Sequence, residues 1–446
     1  MKKTLVSLAA ASLIVTSAMA ADKGIDIVTT GQAVVYYETG SDNGKGDTSL
    51  FNQDNSVANV GVQLNLNADL KNNFTFGSQI TYLGTAGLNR NLVGDTGVKQ
   101  LGGSAPVTQE FGASKTTDDL ALTKIFIAKK IGNTTVKIGR QELPKSLSPL
   151  AFTEGWNVFK NTFESILIVN SDIPNTTIVG AAVGASTKSA GNGLSEMSNL
   201  GVVTSTGKTQ VAGSAYMLTV QNKSIPMTAI TASYYNLSKV DGQAGSLVPN
   251  SDIGADAVWV DVKVAGKDLP MGLKVGLQAG SIMPESKLDT VKFANTTAFG
   301  AKIGLKPIDA LTLCLAYTSV DGDKSKHNVA IVNTGGIKTP LYTQMVYNQD
   351  AISLDANTFM IKGVYNTGDY GKIIAQYAAT SAGEKNRLNR NGEKTDYSEF
   401  DLIYKVKAGG IQYFAAWVNR SWSKVNSTID KEDNQNKIRV WARYNF

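Results

Sequence analysis

What is scarce in this sequence narrows its chemistry first. Its 446 residues include one cysteine, Cys314, so no intrachain disulfide, multi-cysteine metal site or CxxC redox pair can form. There is also one histidine, His327, set in a stretch rich in Asp, Lys and Asn. Histidine is the usual general base at neutral pH, so Ser-His or Cys-His hydrolysis and multi-histidine metal binding would all depend on that one side chain. Charged residues make up 18% of the chain, below the roughly 25% of an average soluble protein. The 43 Lys and Arg exceed the 37 Asp and Glu, for a formal net charge of +6, but they are dispersed and form no basic run of the kind that binds nucleic acid. Neither a cofactor nor a metal is expected.

Long hydrophobic runs are also missing beyond the amino terminus. Lys2 and Lys3 precede an apolar run from Leu5 to Val15, which ends at Ala18-Met19-Ala20. A charged start, a short apolar run and a small-x-small site describe a signal peptide over residues 1–20, leaving 21–446 as one exported domain. The run is too short for the roughly 20 apolar residues of a spanning helix. Later runs such as Ile166 to Val169 break after a few residues. If this chain enters a membrane, it does so with strands.

What is there is alternation with period two, the signature of a strand with one apolar face. Val60, Val62, Leu64, Leu66, Ala68 and Leu70 alternate with Gly61, Gln63, Asn65, Asn67 and Asp69; Phe299, Ala301, Ile303 and Leu305 do so with Gly300, Lys302 and Gly304. The pattern predicts strands near 25–38, 57–70, 74–83, 118–131, 134–142, 161–173, 176–186, 207–221, 227–239, 254–266, 271–283, 293–306, 310–320, 354–366, 370–380, 397–408, 410–421 and 436–446. That is about eighteen, with sixteen left open.

The links alternate in length. Lys71-Asn72-Asn73, Gly132-Asn133, Pro174-Asn175, Lys267 to Pro270, Pro307 to Asp309 and Ala408-Gly409 are tight turns. Links at 39–56, 84–117, 187–206, 321–353 and 381–396 are long and polar. Short turns on one rim and long loops on the other predict an all-β, transmembrane, antiparallel up-and-down β-barrel. Closure removes the edges along which strands aggregate. Strand pattern begins soon after residue 20, which leaves no room for a plug domain.

The last strand carries Ile438, Val440, Ala442, Tyr444 and Phe446 on one face and Lys437, Arg439, Trp441, Arg443 and Asn445 on the other. Alternation carried to a terminal Phe446 resembles the signal by which the outer-membrane barrel assembly machinery recognises its clients. Tyr36, Tyr37, Tyr82, Tyr317, Tyr365, Tyr404, Tyr413, Trp417 and Tyr444 lie near strand ends and are read as girdles at the lipid headgroups.

With the apolar face toward lipid, the other face lines a lumen. It carries Asp69, Lys137, Asp261, Lys263, Lys274, Lys302, Lys362, Lys372, Glu399, Asp401, Lys405, Lys407, Lys437, Arg439 and Arg443. On the lipid side each Lys or Arg would cost roughly 2–4 kcal/mol at the midplane. Charges lining a pore bias which ions pass, and this set predicts a basic tilt favouring anionic or carboxylate-bearing solutes. The link from Leu143 to Lys160 differs from the other loops in holding Phe152, Trp156 and Phe159 with few charges. It is read as folded into the barrel, with Lys145, Glu154 and Lys160 facing a constriction beside Arg140, Gln141 and Glu142.

The stretch Val136-Lys137-Ile138-Gly139-Arg140-Gln141-Glu142-Leu143-Pro144, with Asn161-Thr162-Phe163-Glu164 and Asp172-Ile173-Pro174-Asn175, resembles the OprD-type porins and the related major outer membrane porins of Campylobacter-like bacteria. The resemblance implies an eighteen-stranded barrel, often a homotrimer, whose third extracellular loop narrows the pore, and it places Arg140 and Gln141 beside the constriction. An inward Arg140 requires the strand to end or bulge there, because the phase of Ile138 points it toward lipid. No dense arginine ladder is present, so the transfer is to a general diffusion porin of the Gram-negative outer membrane, embedded in its lipids and passing small hydrophilic solutes without catalysis. Two other classes stay open: a surface adhesin, and an outer-membrane barrel hydrolase built on His327.

Overall fold

The computed structural model describes residues 25–41, 49–52, 55–84, 119–155, 158–187, 197–203, 209–238, 253–266, 268–286, 292–323, 325–388, 394–425 and 433–446. Residues 1–20 and Trp156 lie outside the described residues.

The alternating segments form strands β1 (Asp26–Gly40), β2 (Ser56–Asp69), β3 (Phe74–Gly84), β4 (Asp119–Ile131), β5 (Thr134–Gln141), β6 (Phe163–Asn170), β7 (Thr176–Ser186), β8 (Thr209–Asn222), β9 (Thr228–Ser238), β10 (Ile253–Ala265), β11 (Lys274–Ser286), β12 (Thr296–Ile308), β13 (Leu311–Val320), β14 (Ala356–Asn366), β15 (Lys372–Ala382), β16 (Lys394–Ala408), β17 (Ile411–Val425) and β18 (Asp433–Asn445). Each pairs antiparallel with the next, and β18 returns to β1, with Asn445 opposite Gln32 and Lys437 opposite Gly40. The result is a closed barrel of eighteen strands, so the sixteen-strand option falls. A short strand, Ser198–Val203, pairs with the ends of β7 and β8 inside a link expected to be irregular.

Turn chemistry explains the tight rim. In Ile173-Pro174-Asn175-Thr176 the proline presets its own φ and Asn175 takes φ +57°, so the Thr176 amide reaches the Ile173 carbonyl at 3.1 Å. Ile225-Pro226-Met227-Thr228 repeats the arrangement, with Met227 at φ +57° and a 3.0 Å bond from Thr228 to Ile225.

Large apolar side chains are exposed around the outer wall, among them Ile127, Ile138, Ile168, Leu218, Leu277, Ile361, Leu402 and Val440. An apolar belt of this extent requires a nonaqueous neighbour. No helix among the described residues is long and apolar enough to cross a membrane. Tyr317, Tyr365, Tyr404, Tyr413, Trp417 and Tyr444 are exposed on this face, but Tyr36 is not. It shares the inward phase of Val34 and Glu38, is 4% exposed, and donates its hydroxyl proton to Glu38 at 2.5 Å.

The core of the molecule sits inside the barrel. Two loops from the long-loop rim turn into the lumen: the third, residues 142–162 between β5 and β6, and the seventh, residues 321–355 between β13 and β14. Leu143, Leu150 and Ala151 of the third and Val329, Ile331, Leu341 and Ile352 of the seventh pack on Tyr235, Leu237, Trp259 and Ile282 of the inner wall. The seventh loop was expected to be a long polar link. It is a buried insert, because its apolar run at 329–332 and the apolar side chains of Leu341, Met345 and Tyr347 have no other surface to cover.

Candidate functional site: the narrowed lumen

The third loop is pinched at its root, where the Leu143 amide donates to Thr153 Oγ1 at 3.0 Å and the Thr153 amide to the Leu143 carbonyl at 2.8 Å. From there it crosses the lumen. On one side the Leu150 amide donates to the Tyr235 hydroxyl at 3.2 Å. On the other, Val158 and Phe159 pack on Val34, Tyr36, Val57 and Leu83, and Arg443 donates to the Val158 carbonyl at 2.9 Å. The Phe159 ring lies over Gly61, where any Cβ would collide with it.

The seventh loop is fastened to three parts of the wall. Tyr342 donates to Asp261 Oδ2 on β10 at 3.0 Å, and Thr343 bonds Thr318 on β13 at 2.6 Å. On the far side, the Tyr347 amide donates to Glu399 Oε1 at 2.8 Å and the Val346 amide to Asp401 Oδ2 at 3.4 Å. Arg439 donates to the Tyr347 hydroxyl at 2.6 Å and pairs with Glu38 at 2.7 Å. The Tyr347 ring has the guanidinium of Arg439 at 5.2 Å and the Lys437 ammonium at 4.7 Å.

These contacts sort the lumen's charges. Glu38, Glu399 and Asp401 are at most 3% exposed and hold loop segments or Arg439. Glu142 pairs with Lys124 and with Lys160 (2.9 Å), and Asp261 with Lys263 (3.0 Å). Toward the short-turn half, Lys137, Lys274, Lys302, Lys362, Lys372, Lys405 and Lys407 share the inward phase, and none of them forms an ion pair among the described residues. Lys137 rests on the Phe126 ring at 3.6 Å, Lys302 on Tyr342 at 4.0 Å and Lys405 on Phe414 at 5.3 Å. Phe414 stacks on Trp441, which carries Arg443 at 4.8 Å.

Several expected site residues fall elsewhere. Arg140 is on the outer wall: β5 stays in register with both neighbours, so Arg140 keeps the phase of Ile138 and meets Glu164 at 2.8 Å. The strand end or bulge that an inward Arg140 needs does not occur before it. Gln141 points inward but is fully covered, its amide donating to the Ser165 carbonyl at 3.1 Å. Glu154 is 8% exposed and turned into the seventh loop, away from water. Arg439, 4% exposed, is spent on Glu38 and Tyr347. Lys145 is exposed to the lumen and donates to the Thr339 carbonyl at 2.9 Å. Sequence reasoning missed Asn333, Lys338, Tyr342 and Tyr347; the apolar runs around them were the available signal.

Crowding shifts the loop groups. The surrounding wall pulls the Lys145 pKa down to about 8, with Lys263 and Lys302 pushing the same way against Glu154 and Asp261. Burial also lowers Lys338 to about 8, although Glu399, Glu154 and Asp401 favour its charge. For Glu142, burial alone would raise the pKa, but Lys124 and Lys160 outweigh it and hold the carboxyl below its usual range.

His327 lies in a two-residue parallel pairing with Phe293, their rings 5.7 Å apart. Among the described residues no group of three His, Cys, Asp or Glu is placed to hold a metal ion.

No protein-family model and no curated protein matches the chain. Solved structures do. Pseudomonas aeruginosa OccK8 (OprE) superposes with a TM-score of 0.67 at 13% identity, covering 94% of this chain and 98% of that one. Acinetobacter baumannii OccAB3 gives 0.66 at 13%, covering 94% and 99%. The outer membrane protein opdK from Pseudomonas aeruginosa gives 0.66 at 11%, also covering 94% and 99%. Over nearly its whole length, then, this chain has the fold of those barrel proteins.

Proposed function

We propose that the chain is a porin: a water-filled channel of the Gram-negative outer membrane through which small hydrophilic or ionic solutes diffuse passively, with a preference for anions. The observation that carries this reading is the division of the lumen's charges. Among the described residues, Glu38, Glu399 and Asp401 are covered and Asp261 is paired, which leaves the exposed Asp69 near the short-turn rim against seven inward lysines that form no ion pair, so a solute crossing between the inserted loops and the wall meets a net positive field. The third and seventh loops narrow the path. The shared fold with an outer membrane protein supports the location, and the leader over residues 1–20 supports export. Assembly through the strand ending at Phe446 and a homotrimeric state belong to the same reading, which assigns no catalysis to the chain.

Purified protein in a planar bilayer tests it. Discrete conductance steps, with a reversal potential in a salt gradient of the sign set by anions, are expected. A chain that inserts but conducts nothing sinks the reading, and clear cation preference sinks its charge argument.

A further inference from the structure

We propose that Glu154 is a positioning residue: its carboxylate is the intramolecular ligand of an anion-accepting cradle at residues 333–338, and this bond fixes the seventh loop to the third. One oxygen, Oε1, accepts from the Ile337 amide at 2.8 Å, the Lys338 amide at 2.7 Å and Asn333 Nδ2 at 2.8 Å. Consecutive backbone N–H groups converging on one oxygen are the arrangement by which loops bind free anions, and bonds to an ionised acceptor are the strong ones. Gly336 approaches so closely that a Cβ there would fall on the carboxylate.

The two loops interlock around this point. Asn333 donates to the Phe152 carbonyl at 2.7 Å and accepts from the Phe152 amide at 2.9 Å. The Thr334 amide donates to the Leu150 carbonyl at 2.8 Å, and Asn161 donates to the Gly335 carbonyl at 2.7 Å while accepting from the Glu154 amide at 2.6 Å. Asn333 is 2% exposed and Glu154 8%, so removing the carboxylate leaves covered donors that water reaches only if the cradle opens. The narrow part of the lumen is therefore one body made of two loops, and Glu154 sets the shape of the passage without touching the solute. Only the consequence for conduction rests on the channel reading; the cradle itself does not.

Amide hydrogen exchange on the full chain in detergent tests it. In Glu154→Ala, protection at Ile337 and Lys338 should fall about tenfold or more, as expected for lost bonds to a charged acceptor, while β10 and β16 keep theirs. Gly336→Ala should give the same local loss, because a Cβ there falls on the Glu154 carboxylate and on Asn333 Nδ2. Glu154→Gln, which keeps an oxygen but not the charge, should fall between. Glu164→Gln on the outer wall should leave the loops unchanged. Unaltered protection in Glu154→Ala, or loss spread equally over the strands, would each overturn the assignment. In bilayers, Glu154→Ala should raise open-channel current noise. A protein that never conducts would fail the porin reading and leave the exchange result standing.

Discussion

Replacing Arg439 with Ala tests the sorting of lumen charges most directly. Arg439 is 4% exposed, its guanidinium 2.7 Å from Glu38 Oε2 and 2.6 Å from the Tyr347 hydroxyl. Its removal strands Glu38, 3% exposed, with Lys437 as the remaining cation at 3.7 Å. Removing one partner of a buried pair costs roughly 3–5 kcal/mol, and the residual help from Lys437 puts this case near 3. If m is about 3 kcal/mol per molar urea, the upper end of the small-protein range, the unfolding midpoint drops by about 1 M. Because the charge left behind causes the loss, Arg439→Met combined with Glu38→Gln should be more stable than Arg439→Met alone. The assay is urea unfolding of lipid-reconstituted barrel, read from the migration of unheated samples in a detergent gel. The double variant should also keep the wild-type reversal potential, since it removes a compensated pair. An Arg439→Ala midpoint within error of wild type, or a double variant no better than the single one, would refute the reasoning.

Other outcomes follow from the same division. Lys362→Gln, Lys372→Gln and Lys405→Gln together should move the reversal potential toward cation preference, because these lysines face the lumen and form no ion pair among the described residues; an unchanged potential would remove them from the solute's path. Lys145 is charged below its pKa of about 8 and neutral above it, so anion preference should weaken from pH 7 to pH 9, by less in Lys145→Gln; equal pH dependence in both would refute its part. Deleting residues 146–158 should raise single-channel conductance. It also removes Phe152 and Glu154, so the seventh loop should become open to protease; an intact seventh loop in that variant would separate the two inserts. On the outer wall, Arg140→Leu with Glu164→Leu should preserve folding, whereas Arg140→Leu alone leaves a carboxylate facing lipid and should lower folding yield; equal yields would contradict the outward placement.

The sequence by itself determined the barrel. A period of two puts alternate side chains on opposite faces, so apolar residues such as Ile138, Leu277 and Ile361 report their orientation through their neighbours in sequence alone. Asn, Gly and Pro likewise encode the tight turns locally, through the φ values they permit. Periodicity also gave the lysines their inward phase, and it left Arg140 outward unless the strand broke. The reading of the 143–160 loop as a constriction, and then the sequence resemblance, overrode that phase for Arg140, and the unbroken register of β5 with β4 and β6 restored it.

Only the tertiary structure decided what fills the lumen. The Glu154 contacts with Asn333, Ile337 and Lys338 join residues about 180 positions apart, and the grip of Arg439 on Tyr347 spans 92. No local period encodes such pairings, because they depend on which loops reach the same enclosed space. The fate of each inward charge, covered or open to a passing solute, is settled there as well: burial is a property of the assembled barrel, and Glu38 and Lys362 look alike until the loops are in place.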